Sequence, residues 1–279
     1  MLIHDHFQNY KVYQIPKAQL IIADIPYNLG NNAYASNPAW YKDGDNKNGE
    51  SELAGTEFFD TDKDFRPAEF MHFCSNLLKS EPKVIKEPTT EGEKVKRDKS
   101  KAPCMIVFCE FEQQFSLIQL AKQYGLNRYI NLVFRKNFSA QVLKANMKIV
   151  GNCEYALVLY RDRLPKFNND GKMIFNCMDW IREGENEKIH PTQKPVKLLE
   201  KLIKIFTDKD DVVIDPVAGS GSTLIAAENT CRKSFGFEIK LNFFKEATKW
   251  INENALIKKE IKELGYAKTK ISKENPILF

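Results

Sequence analysis

The strongest constraint on the fold lies between residues 211 and 238. Asp211-Val212-Val213-Ile214 is a short apolar run rich in β-branched residues, the pattern of a strand buried on both faces. It closes on Asp215-Pro216-Val217-Ala218-Gly219-Ser220-Gly221, and Ser222-Thr223-Leu224-Ile225-Ala226-Ala227 follows with helical character. Phe235-Gly236-Phe237-Glu238 then reads as the next strand, ending in an acid. Strand, glycine turn, helix and strand in this order make a unit of a parallel α/β sheet. Glycines let the backbone come close to a ligand, and a helix N-terminus favours an anionic group such as a carboxylate. Glu238 stands 19 residues after Gly219, close to the ~20 expected of a ribose-binding acid. The turn lacks the third glycine of the dinucleotide fingerprint, and no phosphate-loop lysine follows Gly221. NAD and ATP are therefore disfavoured, and a nucleoside-type ligand fits better.

A second segment sits near the start. Leu20-Ile21-Ile22-Ala23 is another buried-strand run, and it ends on Asp24-Ile25-Pro26-Tyr27. Open α/β sheets bind ligands at the carboxyl ends of their strands, which is where this tetrapeptide falls. Asp24 offers a carboxylate and Ile25 a backbone carbonyl, whose direction Pro26 restricts. Two acceptors on one side of an amino group would bind both its hydrogens and leave nitrogen density free for attack. Tyr27 supplies a ring for stacking, worth ~1–3 kcal/mol per base. Asp and Pro are also ordinary turn residues, so this segment alone reads better as a strand-ending turn.

A third element, His190-Pro191-Thr192-Gln193-Lys194-Pro195, leads into Val196-Lys197-Leu198-Leu199-Glu200-Lys201-Leu202-Ile203, apolar at helical spacing. In this order the three segments resemble the permuted, beta-type amino-methyltransferases of bacterial and phage DNA, and the likeness spans residues 24 to 238. It implies an α/β, Rossmann-like methyltransferase fold with a mostly parallel sheet and circularly permuted motif order. It also implies S-adenosylmethionine as methyl donor and a flipped DNA base as acceptor. Carried over residue by residue, Asp24, Ile25, Pro26 and Tyr27 are catalytic. Asp215, Pro216, Val217, Gly219, Ser220, Gly221 and Glu238 hold the donor, His190, Lys194 and Pro195 border its methionine end, and Asp5 contacts its adenine. Three positions depart from the family pattern. Ile25 replaces a proline but keeps the carbonyl, Val217 replaces a phenylalanine beside the cofactor, and Ser222 stands where threonine is common. An initial Asp, rather than Ser, resembles the adenine-N6 version of the tetrapeptide. Cytosine-N4 methylation and a cofactor-binding DNA module without catalysis stay open as alternatives; the segment before His190 argues against an RNA substrate.

Composition agrees. The chain has 279 residues, 43% hydrophobic, with a net charge of +5 that permits nucleic-acid binding. The expectation is a single domain over 1–279, cytoplasmic, with no signal-like or membrane-spanning stretch. The six cysteines lack paired spacing and read as reduced thiols, and His4 and His6 around Asp5 are not read as a metal site. Residues 28–66, rich in Asn, Gly, Asp and Lys with Trp40 and Tyr41, form a long loop at the edge of the site. Residues 79–102 read as an exposed insertion. Target recognition is expected in 161–189, with Asn28, Arg135, Lys136, Arg161 and Arg163 as DNA contacts. DNA is the expected partner, with a cognate restriction endonuclease or a second copy of the chain as further candidates.

Overall fold

The structure is a computed structural model that describes residues 1–27, 65–82, 101–137, 141–144, 147, 149–181 and 193–255. The described residues form ten strands, with no helix between β4 and β8: β1 (Leu2–His4), β2 (Leu20–Asp24), β3 (Cys104–Cys109), β4 (Arg128–Lys136), β5 (Gln141–Lys144), β6 (Ile149–Gly151), β7 (Cys153–Tyr160), β8 (Cys177–Trp180), β9 (Val212–Asp215) and β10 (Lys233–Glu238). The helices are α1 (Pro67–Leu77), α2 (Gln113–Gln123), α3 (Val196–Phe206), α4 (Ser222–Asn229) and α5 (241–255), with a 3-10 turn over Phe7–Tyr13.

Eight strands form one sheet in the order β1-β10-β9-β2-β3-β7-β4-β8, and β5 pairs only with β6. Every neighbouring pair in the large sheet is parallel except the two made by β7, which runs against β3 and β4. This is the mostly parallel α/β sheet expected from the runs at 20–23, 211–214 and 235–238. The β5–β6 hairpin, β1, β8 and α1 were not anticipated by the sequence patterns.

The sheet is covered on both faces, and the period of two along each strand divides its side chains between two cores. On one face α3 and α4 pack against Ile22, Ile106, Phe108, Phe134 and Val158. On the other, α1, α2 and the 3-10 turn pack against Ile21, Ala23, Met105, Val107 and Leu157. Adjacent strand residues therefore serve opposite layers, which is why these strands read as unbroken apolar runs. In α3 the buried residues Leu198, Leu199, Leu202, Ile203, Ile205 and Phe206 follow the helical period, with Pro195 at the N-cap.

The reversal of β7 relocates two expected DNA contacts. Arg161 leaves β7 at the amino-terminal edge of the sheet, opposite the tetrapeptide. There its guanidinium donates to Lys79 O (3.0 Å) and Ser75 O (3.1 Å), satisfying carbonyls at and beyond the end of α1. Nearby, Arg163 N donates to Glu81 Oε1 at 2.9 Å. The first part of 161–189 continues along that edge, where Asn168 donates to Thr207 O at 2.9 Å beyond the end of α3 and Lys166 pairs with Asp208 at 2.6 Å. Arg161 and Arg163 thus stand at the edge of the sheet opposite the tetrapeptide. Residues 182–192 lie outside the described residues, as do 28–64, 83–100 and 256–279.

Candidate active site

Chain order reverses within the sheet between β9 and β2. From β9 the chain crosses to β10 on one side, and from β2 to β3 on the other. Such a switch point opens a crevice at the carboxyl ends of the strands. Ile21 pairs with Ile214, so Asp24 and Asp215 end adjacent strands on the same edge. The two motifs, far apart in sequence, share one crevice.

The tetrapeptide forms one wall. Ile25 is buried and its N–H donates to Phe108 O at 3.3 Å, while Pro26 O accepts from Gln113 Nε2 at 2.9 Å. Strand exit and the start of α2 thus fix the backbone. Asp24 Oδ2 accepts from Lys194 Nζ at 2.5 Å, whereas its buried Oδ1 has no hydrogen-bond partner among the described residues. An unpartnered buried carboxylate oxygen is costly and marks a place for a donor from outside the chain.

Behind Asp24 is a cluster not read from the sequence. Lys194 Nζ also lies 3.3 Å from Glu154 Oε2 and 3.4 Å from Tyr27 Oη. Glu154 accepts from Tyr27 Oη at 3.0 Å and pairs with the buried Lys136. Aromatic rings enclose the lysines: Lys194 Nζ is 5.4 Å from the Tyr27 ring centroid, 5.2 Å from Phe108 and 5.5 Å from Trp180, and Lys136 is 4.9 Å from Trp180. Burial disfavours charge on Asp24, Tyr27, Glu154 and Lys194. The two cations nevertheless hold Glu154 below the usual carboxylate range, and the two carboxylates hold Lys194 above an ordinary lysine. Asp24 stays raised, because burial outweighs the pull of Lys194 and Glu154 adds repulsion.

The glycine turn forms the other wall. Glu238 Oε2 accepts from Gly219 N at 2.9 Å and Oε1 from Lys240 N at 2.8 Å, tying the acid at the end of β10 to the turn after β9. Asp215 is buried; its carboxyl is pushed up to about 7 by burial, although Thr223 and the Val217 N–H (3.1 Å) both stabilise its anion. Gly221 has φ +77, a left-handed backbone that suits glycine. A Cβ there would meet Ile251 Cδ1 at 2.9 Å, so on its side-chain side Gly221 is packed against α5. Ser220 and Pro216 are buried within the turn, and Val217 packs partly against the core beneath it.

The other site residues expected from the sequence are distributed as follows. Lys194, expected at the methionine end of the donor, has its ammonium on the tetrapeptide side, because Asp24 and Glu154 draw it there. Pro195 caps α3 behind it. Asp5 follows β1, next to β10, and both its oxygens are engaged: Oδ1 accepts from His6 N and Asn9 Nδ2, and Oδ2 from Tyr13 Oη at 2.6 Å. Arg135 is exposed at the site's edge of the sheet and paired with Asp179 at 2.7 Å. Lys136 is buried on Glu154 and is not a surface contact for phosphate. His190 and Asn28 lie outside the described residues. Glu154 escaped sequence reading because it begins a strand; only a reversed strand brings its amino end to this edge. Among the described residues no cluster of His, Cys, Asp and Glu is arranged to hold a metal ion, and no helix is long and apolar enough to cross a membrane.

A parallel α/β sheet with an acceptor-lined wall and a glycine-turn wall at one switch point defines a class of nucleoside-binding group-transfer folds. A family model for DNA methylases, covering N6 and N4 methyltransferases, matches residues 18–249, and the chain belongs to that family. It is 27% identical over 264 residues to the DNA adenine methyltransferase YhdJ of Escherichia coli (strain K12), covering 88% of this chain and 80% of that protein. It is 35% identical over 99 residues to the type II methyltransferase M2.LlaDCHI of Lactococcus lactis subsp. cremoris, covering 34% of this chain and 37% of the relative. The chain spans less than half the length of the curated relatives that it matches at this higher identity. Among solved structures, the fold is similar to the M1.HpyAVI–SAM complex (TM-score 0.60, 21% identity, 90% of this chain and 98% of that one). It is also similar to the cytosine-N4-specific PvuII DNA methyltransferase (TM-score 0.56, 14% identity, 91% of each chain).

Proposed function

We propose that the chain is a site-specific DNA methyltransferase that methylates the exocyclic N6 of adenine, with S-adenosylmethionine as donor. The observation that carries this reading is the buried, unpartnered Oδ1 of Asp24, at the carboxyl end of the strand beside the glycine turn. An amino group supplies the missing donor. The initial Asp of the tetrapeptide and the adenine methyltransferase named among the relatives favour adenine.

The donor side suits a nucleoside with an amino-acid tail. Glu238 stands at the end of β10 where a ribose-binding acid belongs, and the Gly219–Gly221 turn leads into the start of α4. Bound there, S-adenosylmethionine supplies an electrophilic methyl group on a sulfonium centre. The rest is the work of this chain. The target base leaves the duplex, because its amino group is otherwise paired and stacked. Tyr27, its hydroxyl fixed on Glu154, offers a ring for stacking. Asp24 Oδ1 and the Ile25 carbonyl accept the amino hydrogens, leaving the nitrogen pair free. As the nitrogen forms its bond to the methyl carbon, the carbon–sulfur bond would break and its electron pair would leave on sulfur as a neutral thioether; the nitrogen then gives up one proton to solvent past Asp24, with no covalent enzyme intermediate.

For recognition, Arg135 at the site's edge of the sheet is a proposed DNA contact and residues 182–189, outside the described residues, belong to the proposed recognition segment, with the rest of the chain serving as one methyltransferase domain in the cytoplasm. A cognate endonuclease or a second copy of the chain is a further proposed partner.

Nucleoside analysis of DNA from cells expressing the chain tests the reaction. N6-methyladenine is expected; N4-methylcytosine alone would replace the adenine assignment, and unmodified DNA would remove the reading. Glu238→Ala tests the donor site. It should weaken S-adenosylmethionine binding in calorimetry by about 10–100-fold, as loss of a charge-assisted contact worth ~1.5–3 kcal/mol requires. Unchanged affinity in a folded variant would move the ribose site elsewhere.

A further inference from the structure

We propose that Lys194, bridged between Asp24 and Glu154, is a positioning residue that keeps Asp24 ionised and turned with Oδ1 free for the target amino group. The geometry is specific. Lys194 Nζ takes Oδ2 at 2.5 Å, which leaves Oδ1 as the open face of the carboxylate. The same ammonium is shared with Glu154 at 3.3 Å, and Glu154 also has Lys136. Two carboxylates and two ammonium groups thus balance in a buried cluster, and Lys194 is the ammonium seen bonded to Asp24.

The chemistry depends on that balance. A carboxylate accepts from an amino group, whereas a protonated Asp24 could present an O–H donor to the nitrogen that must attack. Burial already raises Asp24, and Lys194 opposes that rise. The other titratable groups around it are Tyr27 and Glu154, with Cys109 at the end of β3, Glu110 just after it and Asp215 from β9 nearby. Cys109 is pushed up to about 12 by burial and the adjacent carboxylates, so it stays a neutral thiol. A carboxyl with a raised pKa is ionised only above its elevated range. Methyl transfer therefore has an acid limb, falling as pH drops through that range.

The two groups flanking Asp24 should move this limb in opposite directions. Lys194→Met removes the cation bonded to Asp24 and should move the limb up by about 1–3 pH units, the range for an opposite charge at this distance. Glu154→Gln removes the anion that repels Asp24 and should move the limb down. A loss of packing alone would lower the plateau in both variants without displacing either limb.

The inference rests on Asp24 being the acceptor for the amino group. The test is the pH dependence of single-turnover methyl transfer from labelled S-adenosylmethionine to DNA, for wild type and both variants of the full chain. Circular dichroism and cofactor affinity are measured alongside. Opposite displacements support the inference, and limbs at the wild-type pH in folded variants overturn it. If Lys194→Met does not fold, the Glu154→Gln limb decides alone: a downward shift supports the inference and an unmoved limb overturns it. Failure of the underlying reading looks different, since Asp24→Ala would then transfer methyl groups like wild type.

Discussion

Asp24→Ala is expected to lower single-turnover methyl transfer by about 10²–10³, the usual cost of one preorganised electrostatic contact, while cofactor affinity stays close to wild type. The separation follows from the two walls of the crevice. Asp24 ends β2, whereas the glycine turn and Glu238 end β9 and β10 and bond to each other. The variant should fold, because Lys194 keeps Glu154 as a partner when Asp24 is removed. Tyr27→Ala should also impair transfer by deleting the stacking ring. Tyr27→Phe should do so less, since it keeps the ring and loses the hydroxyl with its contacts to Glu154 (3.0 Å) and Lys194 (3.4 Å). Labelled-methyl transfer measured with cofactor affinity for each variant decides the matter. Wild-type transfer by a folded Asp24→Ala protein would refute the assigned acceptor site.

Phe134→Ala should cost about 3–5 kcal/mol of folding stability, the range for truncating a fully buried aromatic. Phe134 is 0% exposed, and its ring stacks on Phe108 with centroids 5.2 Å apart. Phe108 in turn lies 5.2 Å beneath Lys194 Nζ, so this pair is the floor of the charged cluster. The neighbouring strands and α3 cannot collapse fully into the gap, and a cavity term adds to the lost transfer energy. Urea denaturation should show a lower midpoint at an unchanged slope. A loss below about 1 kcal/mol would mean that the layer repacks freely, contrary to a rigid floor under the site.

Much of this arrangement is written locally. Ile214 and Asp215, Phe237 and Glu238, and Ala23 and Asp24 each place an acid immediately after an apolar run. An apolar run buried on both faces must be a central strand, and a polar residue at its carboxyl end must lie at the ligand edge. Gly219 and Gly221 mark the turn for the same local reason, since both have positive φ. The helical spacing of Val196–Ile203 likewise fixes which side of α3 is buried.

Strand direction is where local reasoning stops. Tyr155–Tyr160 has the same apolar pattern whether it runs with its neighbours or against them. Read as parallel, it sends Arg161 and Arg163 to the site; running antiparallel, it sends them to the far edge and brings Glu154 instead. The partner of each buried charge is equally beyond local sequence. Lys136 looks like a surface cation after a strand until Glu154 and Trp180 close over it. Lys194 looks like a cofactor contact until Asp24 and Glu154 claim its ammonium. The layers, the two motif-bearing strand ends and the type of chemistry are legible along the chain, because these depend on periodicity and on residue type at a strand terminus. Which charges meet is not, because pairing in a buried cluster depends on strand order and direction, and those are set by packing across the whole sheet.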